Sequence, residues 1–261
     1  MPIPVSRFDA QSVRDEWDAA ADDYTHGQSS GRDYYRYEFF GPAHIAQCGD
    51  VTGLPLLDVG CGNGYFARAM ASRGARVIGV DISTRMIEHA RAAESRAPLG
   101  IVYLEMDAAS IGREFAPGTF RMATSCLALQ DMPDVPRVLA AVRSVLQPGS
   151  RFVASIAHPC TDTPFRRWQK DERNAKQWLC IDRYFERGAL QYQWAEWGGR
   201  DFVTTAVHAP LEDWFRWFLS AGFQLRGVSE PCPTTDAIAA RPDLADAARV
   251  PYFLIVDLVA V

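Results

Sequence analysis

The sequence predicts an α/β protein organised around one unit: a strand, a glycine loop, a helix, and a second strand ending in an acid. Three observations carry this. Residues 56–59, Leu56-Leu57-Asp58-Val59, form a short apolar run of the length of a buried strand. Glycines follow at 60, 62 and 64, and a helical pattern of Phe66, Ala67, Met70 and Ala71 is stopped by Gly74. A β-rich run, Arg76-Val77-Ile78-Gly79-Val80, then ends in Asp81. The result is a βαβ unit with a nucleoside-sized site at its top edge.

Each part has a physical job. Glycine permits positive φ and lets a ligand approach the backbone with no Cβ in the way. The helix start behind the loop offers free N–H groups to a polar or anionic ligand group. Asp81 follows Gly60 by about 20 residues, the span at which an acid accepts ribose hydroxyls. A dinucleotide fingerprint needs a third glycine where Tyr65 stands, and no Gly-Lys-Ser/Thr of a P-loop occurs. What remains is acid-x-Gly-x-Gly-x-Gly, with Asp58 as the acid. The bland alternative is a βαβ unit whose glycines serve only the turn.

These residues, with Ser83 opening a helix that carries Met86, Ile87 and Ala90, resemble motif I and the ribose-binding acid of class I S-adenosylmethionine (SAM)-dependent methyltransferases. The resemblance is specific over 54–152 and architectural elsewhere. It implies a Rossmann-like seven-stranded sheet of order 3-2-1-4-5-7-6 with strand 7 antiparallel, and SAM as cofactor. The cofactor contacts it implies are Tyr24, Asp58, Gly60, Cys61, Gly62, Asp81, Ile82, Met86, Asp107, Ala108, Cys126 and Leu127. A small-molecule subgroup, methyltransferase type 11/25-like, is similar in carrying His-Pro-Cys after strand five, which here is 158–160.

Composition sets the outer bounds. The 261 residues fit one large domain with inserts, and 48% hydrophobic with 23% charged residues is ordinary for a globular chain. A net charge of −5 argues against a broad nucleic-acid footprint. No apolar run is long enough to span a bilayer. The start, MPIPVSRFDAQ, lacks the basic and apolar regions of a signal peptide. Six cysteines are scattered without a Cys-x-x-Cys, so neither a metal site nor a disulfide framework is expected. The expected location is the cytoplasm, with free thiols, as a monomer or homodimer without nucleic-acid or membrane partners.

Taken in order, 1–50 is expected to be a helical cap. Asp9 caps a helix with Val13, Trp17, Ala20, Ala21 and Tyr24 at helical spacing, and 22–27 is expected to break it. An aromatic cluster at 34–40 leads into a helix near 42–48. The resemblance places Tyr24, Tyr34 and Tyr37 against the cofactor or substrate cavity; packing in the cap is the alternative. The methyltransferase domain is expected over 51–261. The third strand, 101–107, delivers Asp107-Ala108. The resemblance makes these an adenine contact, whereas the residues alone allow Asp107 to cap the next turn. The fourth strand, 119–127, runs into 126–132, and Asp134 caps a helix ended by Pro148-Gly149.

The fifth strand, 151–156, ends in Ala157-His158-Pro159-Cys160. A polar residue at the carboxyl end of a central strand points into the crevice where open α/β sheets hold ligands. His158 is therefore the leading catalytic and substrate-binding candidate, against a histidine that shapes the turn before Pro159. His208 is the second catalytic candidate, against a capping role. An aromatic-rich insert over 160–207 contains Trp168, Trp178, Tyr184, Phe185, Tyr192, Trp194 and Trp197. It reads as a lid, with Tyr184, Tyr192 and Trp194 as substrate contacts and 183–185 pairing with 190–194 as a hairpin. Strands six (224–229) and seven (252–261) flank a second insert, 231–250. The expected reaction is methyl transfer to an oxygen or nitrogen atom of a small aromatic or apolar metabolite, with secondary metabolism as the expected setting. The alternatives are a SAM-binding protein without catalysis, and an enzyme acting on a protein or peptide.

Overall fold

The computed structural model describes residues 3–195 and 199–261. The expectation for Trp197, and the first two residues of the N-terminal reading, lie outside the described residues.

The chain opens with β1 (Ile3–Pro4), α1 (Ala10–Ser29) and α2 (Phe40–Cys48). Asp9 caps α1 as expected: its side chain accepts the Ser12 N–H while the Ser12 hydroxyl meets the Asp9 N–H. The helix does not break at 22–27. Asp22 and Asp23, read as turn residues, instead hold ion pairs with Arg85, His89 and Arg200, and this docking overrides their weak helix propensity. Before α2, Tyr35–Phe39 forms one wide π-helical turn.

The sheet begins with β2 (Pro55–Val59), α3 (Tyr65–Ala71), β3 (Arg76–Asp81), α4 (Thr84–Arg96), β4 (Val102–Glu105) and the short α5 (Ile111–Glu114). It continues through β5 (Phe120–Cys126), α6 (Val135–Val145) and β6 (Leu146–Ala157). Next come β7 (Phe165–Lys170), β8 (Lys176–Asp182), β9 (Gly188–Trp194), β10 (Phe202–His208), α7 (Leu211–Ser220), β11 (Phe223–Ser229), α8 (Thr235–Ala240) and β12 (Phe253–Ala260). The main sheet runs β4-β3-β2-β5-β6-β12-β11. Only β12 is antiparallel to its neighbours. Numbered by their order in the sheet, the strands give the expected 3-2-1-4-5-7-6.

Both faces of this sheet are covered, so its strands read as continuous apolar runs. On β6, Phe152, Ala154 and Ile156 pack with Val138, Leu139 and Val142 of α6 and with Trp214 and Phe218 of α7. Val153, between them, faces the other way, toward Ala67 and Met70 of α3 and Ile87 and Ala90 of α4. Ser83 and Asp134 cap α4 and α6, as expected.

The insert after β6 departs from the expected hairpin. β7 pairs with β8, and β9 pairs with β10 through Leu190↔Ala206 and Trp194↔Phe202. Residues 183–187 link the two hairpins instead of forming a strand. Arg183 sits at φ 62, outside the strand region, and its guanidinium closes the turn on Glu186 at 2.6 Å.

Candidate active site

The glycine loop is held from both sides. Gly60 and Cys61 donate their N–H groups to the Val80 carbonyl at 2.9 and 3.0 Å. Asp81 accepts the Gly62 N–H on one oxygen at 2.8 Å and the Ser83 N–H on the other at 2.9 Å. Gly60 has φ +71, and a Cβ there would meet the Ala128 Cβ at 2.4 Å. Gly64, at φ +89, would meet the Tyr103 hydroxyl at 2.5 Å. The glycines therefore serve close approach as well as turning.

Above this loop lies a cavity. Tyr24, Asp58, Gly60, Cys61, Gly62, Asp81, Ile82, Met86, Asp107, Ala108, Cys126 and Leu127, the twelve residues that the sequence put at the cofactor, all line it. Asp107 also fulfils the other expectation, capping the next turn by accepting the Ala109 N–H at 2.9 Å. Leu127 is at φ 51, a strained setting for a branched side chain at the cavity wall.

The cavity is electronegative. Asp58, Asp81, Asp107 and Asp131 line it, and Arg36 is the one cation among its lining residues. Burial, and then the nearby Asp81, push the Asp58 carboxyl up to about 7. Its Oδ2 is buried and has no hydrogen-bond partner among the described residues. Burial likewise raises Asp81, and holds Asp131 well above the usual carboxylate range with help from Asp81 and Asp162. Arg36 is itself buried; it donates to Asp33 at 2.6 Å and to the Tyr24 hydroxyl at 2.6 Å. A buried cation of this kind stays where its hydrogen bonds are satisfied.

Helix α1 closes the cavity because its faces have separate tasks. Arg14, Asp18 and Asp22, spaced by four, dock it on the sheet side: Arg14 pairs with Glu105, Asp18 accepts from the Ser83 hydroxyl at 2.6 Å, and Asp22 binds Arg85 and His89. Glu16 reaches β10, accepting the Thr205 N–H at 2.7 Å. Val13, Trp17, Tyr24 and Gln28 face the cavity. Asn63 of the glycine loop donates to Gln28 at 2.6 Å, joining floor to roof.

The remaining candidates go elsewhere. His158 is buried and does not line this cavity. Its Nδ1 accepts the Cys160 N–H at 3.2 Å, which leaves the proton on Nε2, 2.9 Å from Glu230 Oε1. Burial holds His158 below its usual range, with Glu230 opposing. This is the turn-shaping alternative. His208 has both ring nitrogens on backbone carbonyls, of Asp162 and Tyr184, each at 3.0 Å. It fastens the inserts together rather than facing the cavity. Tyr34 stacks on Tyr35 under the Arg241 guanidinium, and Tyr37 packs edge-on against Tyr65. The Tyr184 hydroxyl accepts the Leu211 N–H, and Tyr192 donates to Asp162 at 3.3 Å. Trp194 stands edge-on behind Tyr24 with ring centroids 5.9 Å apart, and donates to Thr204. It is thus one ring removed from the cavity. Sequence reasoning missed Gln28, Arg36, Asn63 and Asp131. Only Asp131 had a signal, its place directly after the fourth strand.

A family model described as a methyltransferase domain matches residues 57–154. The solved S-adenosylmethionine dependent methyltransferase of Mesorhizobium loti is 33% identical, with a TM-score of 0.71 over 84% of this chain and 96% of that one. The chain belongs to the class I SAM-dependent methyltransferases. This methyltransferase is also 28% identical over 195 residues to the demethylmenaquinone methyltransferase of Lactococcus lactis subsp. lactis, covering 73% of each chain. To the ubiquinone biosynthesis O-methyltransferase of Pseudomonas paraeruginosa it is 33% identical over 107 residues, a match spanning 41% of this chain and 46% of that one. Its cofactor is SAM. The cavity suits that molecule: it is lined by Asp58, Asp81, Asp107 and Asp131, groups that accept from hydroxyl, amino and ammonium donors, and by Arg36, which suits a carboxylate. Among the described residues no helix is long and apolar enough to cross a membrane, and no cluster suits a metal ion.

Proposed function

We propose that this methyltransferase acts on an oxygen or nitrogen atom of a small aromatic or apolar metabolite. The observation that carries the reading is the covering of the sheet's carboxyl edge. Beyond β6 the β7–β8 hairpin, Asp246 and the start of β12 line a second space whose walls include Tyr35, Trp168, Tyr252 and Phe253. The quinone-related names of two relatives support the same class of acceptor. Residues 1–50 act as the cap and 51–261 as the catalytic domain, with 160–207 and 231–250 as its inserts.

Asp81, fixed by the Gly62 and Ser83 N–H groups, would receive the ribose hydroxyls. Asp107 would receive the adenine amino group. Asp58, whose Oδ2 has no partner among the described residues, would take the ammonium, and Arg36 the carboxylate. Bound SAM supplies a methyl group already activated as an electrophile. The protein's task is then alignment, worth about 7–11 kcal/mol in favourable cases. Helix α1 covers the cavity. Neither His158 nor His208 reaches the cavity. For an acceptor with a proton to lose, the group in place is Asp131, whose carboxylate has no side-chain hydrogen bond among the described residues and a raised proton affinity.

The test is methyl transfer from labelled SAM to a panel of phenols, quinols and arylamines, read by mass spectrometry. The expected result is a methylated small molecule. Binding of SAM with transfer to peptides and to no small acceptor would overturn the reading.

A further inference from the structure

Asp131 ends the turn Leu129–Asp131 that follows β5, packs against β10 and β6, and lines the cofactor cavity. Three other acids stand close enough to act on it: Asp81 of β3, Glu16 of α1 and Asp162 of the first insert. Each of them has partners of its own. Asp81 accepts two backbone N–H groups, Glu16 accepts the Thr205 N–H and hydroxyl at 2.7 and 2.8 Å, and Asp162 pairs with Arg166 at 3.2 Å. Asp131 has no side-chain hydrogen bond and no ion pair among the described residues. Tyr24 and Tyr192 also lie close to it, and neither brings a positive charge. Burial and the neighbouring acids together hold its carboxyl well above the usual carboxylate range. A cation placed beside it reverses that effect, and an anion deepens it.

The cofactor leaves this group unmatched. In the reading above, its hydroxyl, amino and ammonium donors go to Asp81, Asp107 and Asp58, and its carboxylate goes to Arg36. The fourth carboxylate of the lining is then left for the acceptor. Trp17, next to Glu16 on α1, lines the same cavity and stands edge-on to Tyr24 with ring centroids 5.3 Å apart. These rings offer a flat apolar wall to an aromatic body.

We propose that the methyl acceptor is an aromatic molecule carrying a basic amine, bound in the cofactor cavity as the ammonium on Asp131 and methylated at nitrogen. The proposal rests on the small-molecule reading above and names its substrate class. Asp131 takes one N–H proton from the ammonium, which frees the nitrogen lone pair. That pair forms the bond to the methyl carbon while the carbon–sulfur bond breaks, its electrons going to sulfur. The products are S-adenosylhomocysteine and a methylated ammonium, and Asp131 passes its proton to water. A phenol would have to become a phenolate in the same acidic surroundings, which disfavour it.

The experiment uses the full chain saturated with S-adenosylhomocysteine. Calorimetry follows three probes of similar shape: 2-phenylethylamine, 2-phenylethanol and phenylacetate. The amine is expected to bind roughly ten- to a hundredfold more tightly than the alcohol, as for one buried charge-assisted hydrogen bond, and phenylacetate more weakly than either. Asp131→Asn should bring the amine down to the affinity of the alcohol, with the affinity for S-adenosylhomocysteine unchanged. Failure of the amine to bind wild-type protein, or binding no tighter than that of the alcohol, would overturn the proposal, and this ranking decides even if the variant does not fold. A preference for the amine that survives Asp131→Asn would overturn it too. So would loss of cofactor affinity in a variant whose circular dichroism is unchanged, because Asp131 would then be a cofactor ligand. Methylation of a phenol or quinol oxygen in the wider panel, by protein that ignores 2-phenylethylamine, would sink the amine proposal and leave the small-molecule reading standing. That reading fails separately, by absence of methyl transfer to every small acceptor.

Discussion

The carboxylate of Asp81 accepts the Gly62 N–H at 2.8 Å, tying the end of β3 to the loop that follows β2. Its other oxygen holds the Ser83 N–H at the start of α4. One acid thus fixes two loops. Asp81→Asn turns one of those oxygens into an NH2 group facing a backbone donor and removes the charge. Hydrogen bonds to a charged group are worth about 1.5–3 kcal/mol. SAM affinity measured by calorimetry should fall about 10- to 100-fold, and the protein should remain folded by circular dichroism.

Asp58 predicts a pH dependence. Its carboxyl stands near 7 in the free protein because of burial and the adjacent Asp81. A raised carboxyl holds a proton that the unfolded chain releases. Its contribution to stability is therefore complete below the unfolded value near 3.8 and is lost as pH rises through 7. Ligand binding runs the other way, because the ammonium of SAM favours the ionised form. SAM affinity should weaken as pH falls below about 7, by up to about tenfold per unit. Titration in buffers of different ionisation enthalpy should show protons released near pH 6. Asp58→Asn should bind SAM weakly and show neither effect.

The parts of the molecule legible in the sequence are those with local chemistry. Gly60, Gly62, Asp58 and Asp81 carry their roles in their spacing, because strand, loop and strand are contiguous in the chain. Asp107 and Cys126 follow once two more strands end at the same edge. The hairpins were misread because nothing local distinguishes 183–185 from a strand. The left-handed Arg183 and the pairing of β9 with β10 are set by contacts elsewhere. Arg36 was hidden in an aromatic cluster: its partners Tyr24 and Asp33 meet it only after α1 and the π-turn have folded together. His158 sits where a catalytic group would sit, and only the position of Glu230, 72 residues further along the chain, reveals its occupation.

The loop glycines should differ from one another. Gly60→Ala brings a Cβ to 2.4 Å from the Ala128 Cβ at φ +71. Neither atom is the end of a flexible chain, so the backbone must shift. Gly62, at φ +53, would meet nothing within 4 Å. Its alanine variant pays only for left-handed backbone, about 1–2 kcal/mol. Urea denaturation of the cofactor-free protein should therefore rank wild type above Gly62→Ala, and Gly62→Ala above Gly60→Ala.

His44 gives the last prediction. It is fully buried on α2, with Nε2 2.6 Å from the Thr124 hydroxyl, its ring edge-on to Phe66, and Nδ1 without a partner among the described residues. Burial, with some help from Arg36, lowers it from 6.5 to about 3. The ring is neutral in the folded protein and takes up a proton on unfolding. Its contribution to stability is thus complete above pH 6.5 and is lost as pH falls from 6.5 toward 3. Between about pH 7.5 and 5.5, one such group removes about 1.4 kcal/mol. His158, also lowered, adds a loss of the same sign, and Asp58 opposes it, so the wild-type slope alone does not isolate His44. The difference between wild type and His44→Gln does: the variant should lose about 1.4 kcal/mol less over this range in urea titrations at the two pH values. Equal losses in both proteins would mean that His44 accepts a proton without unfolding.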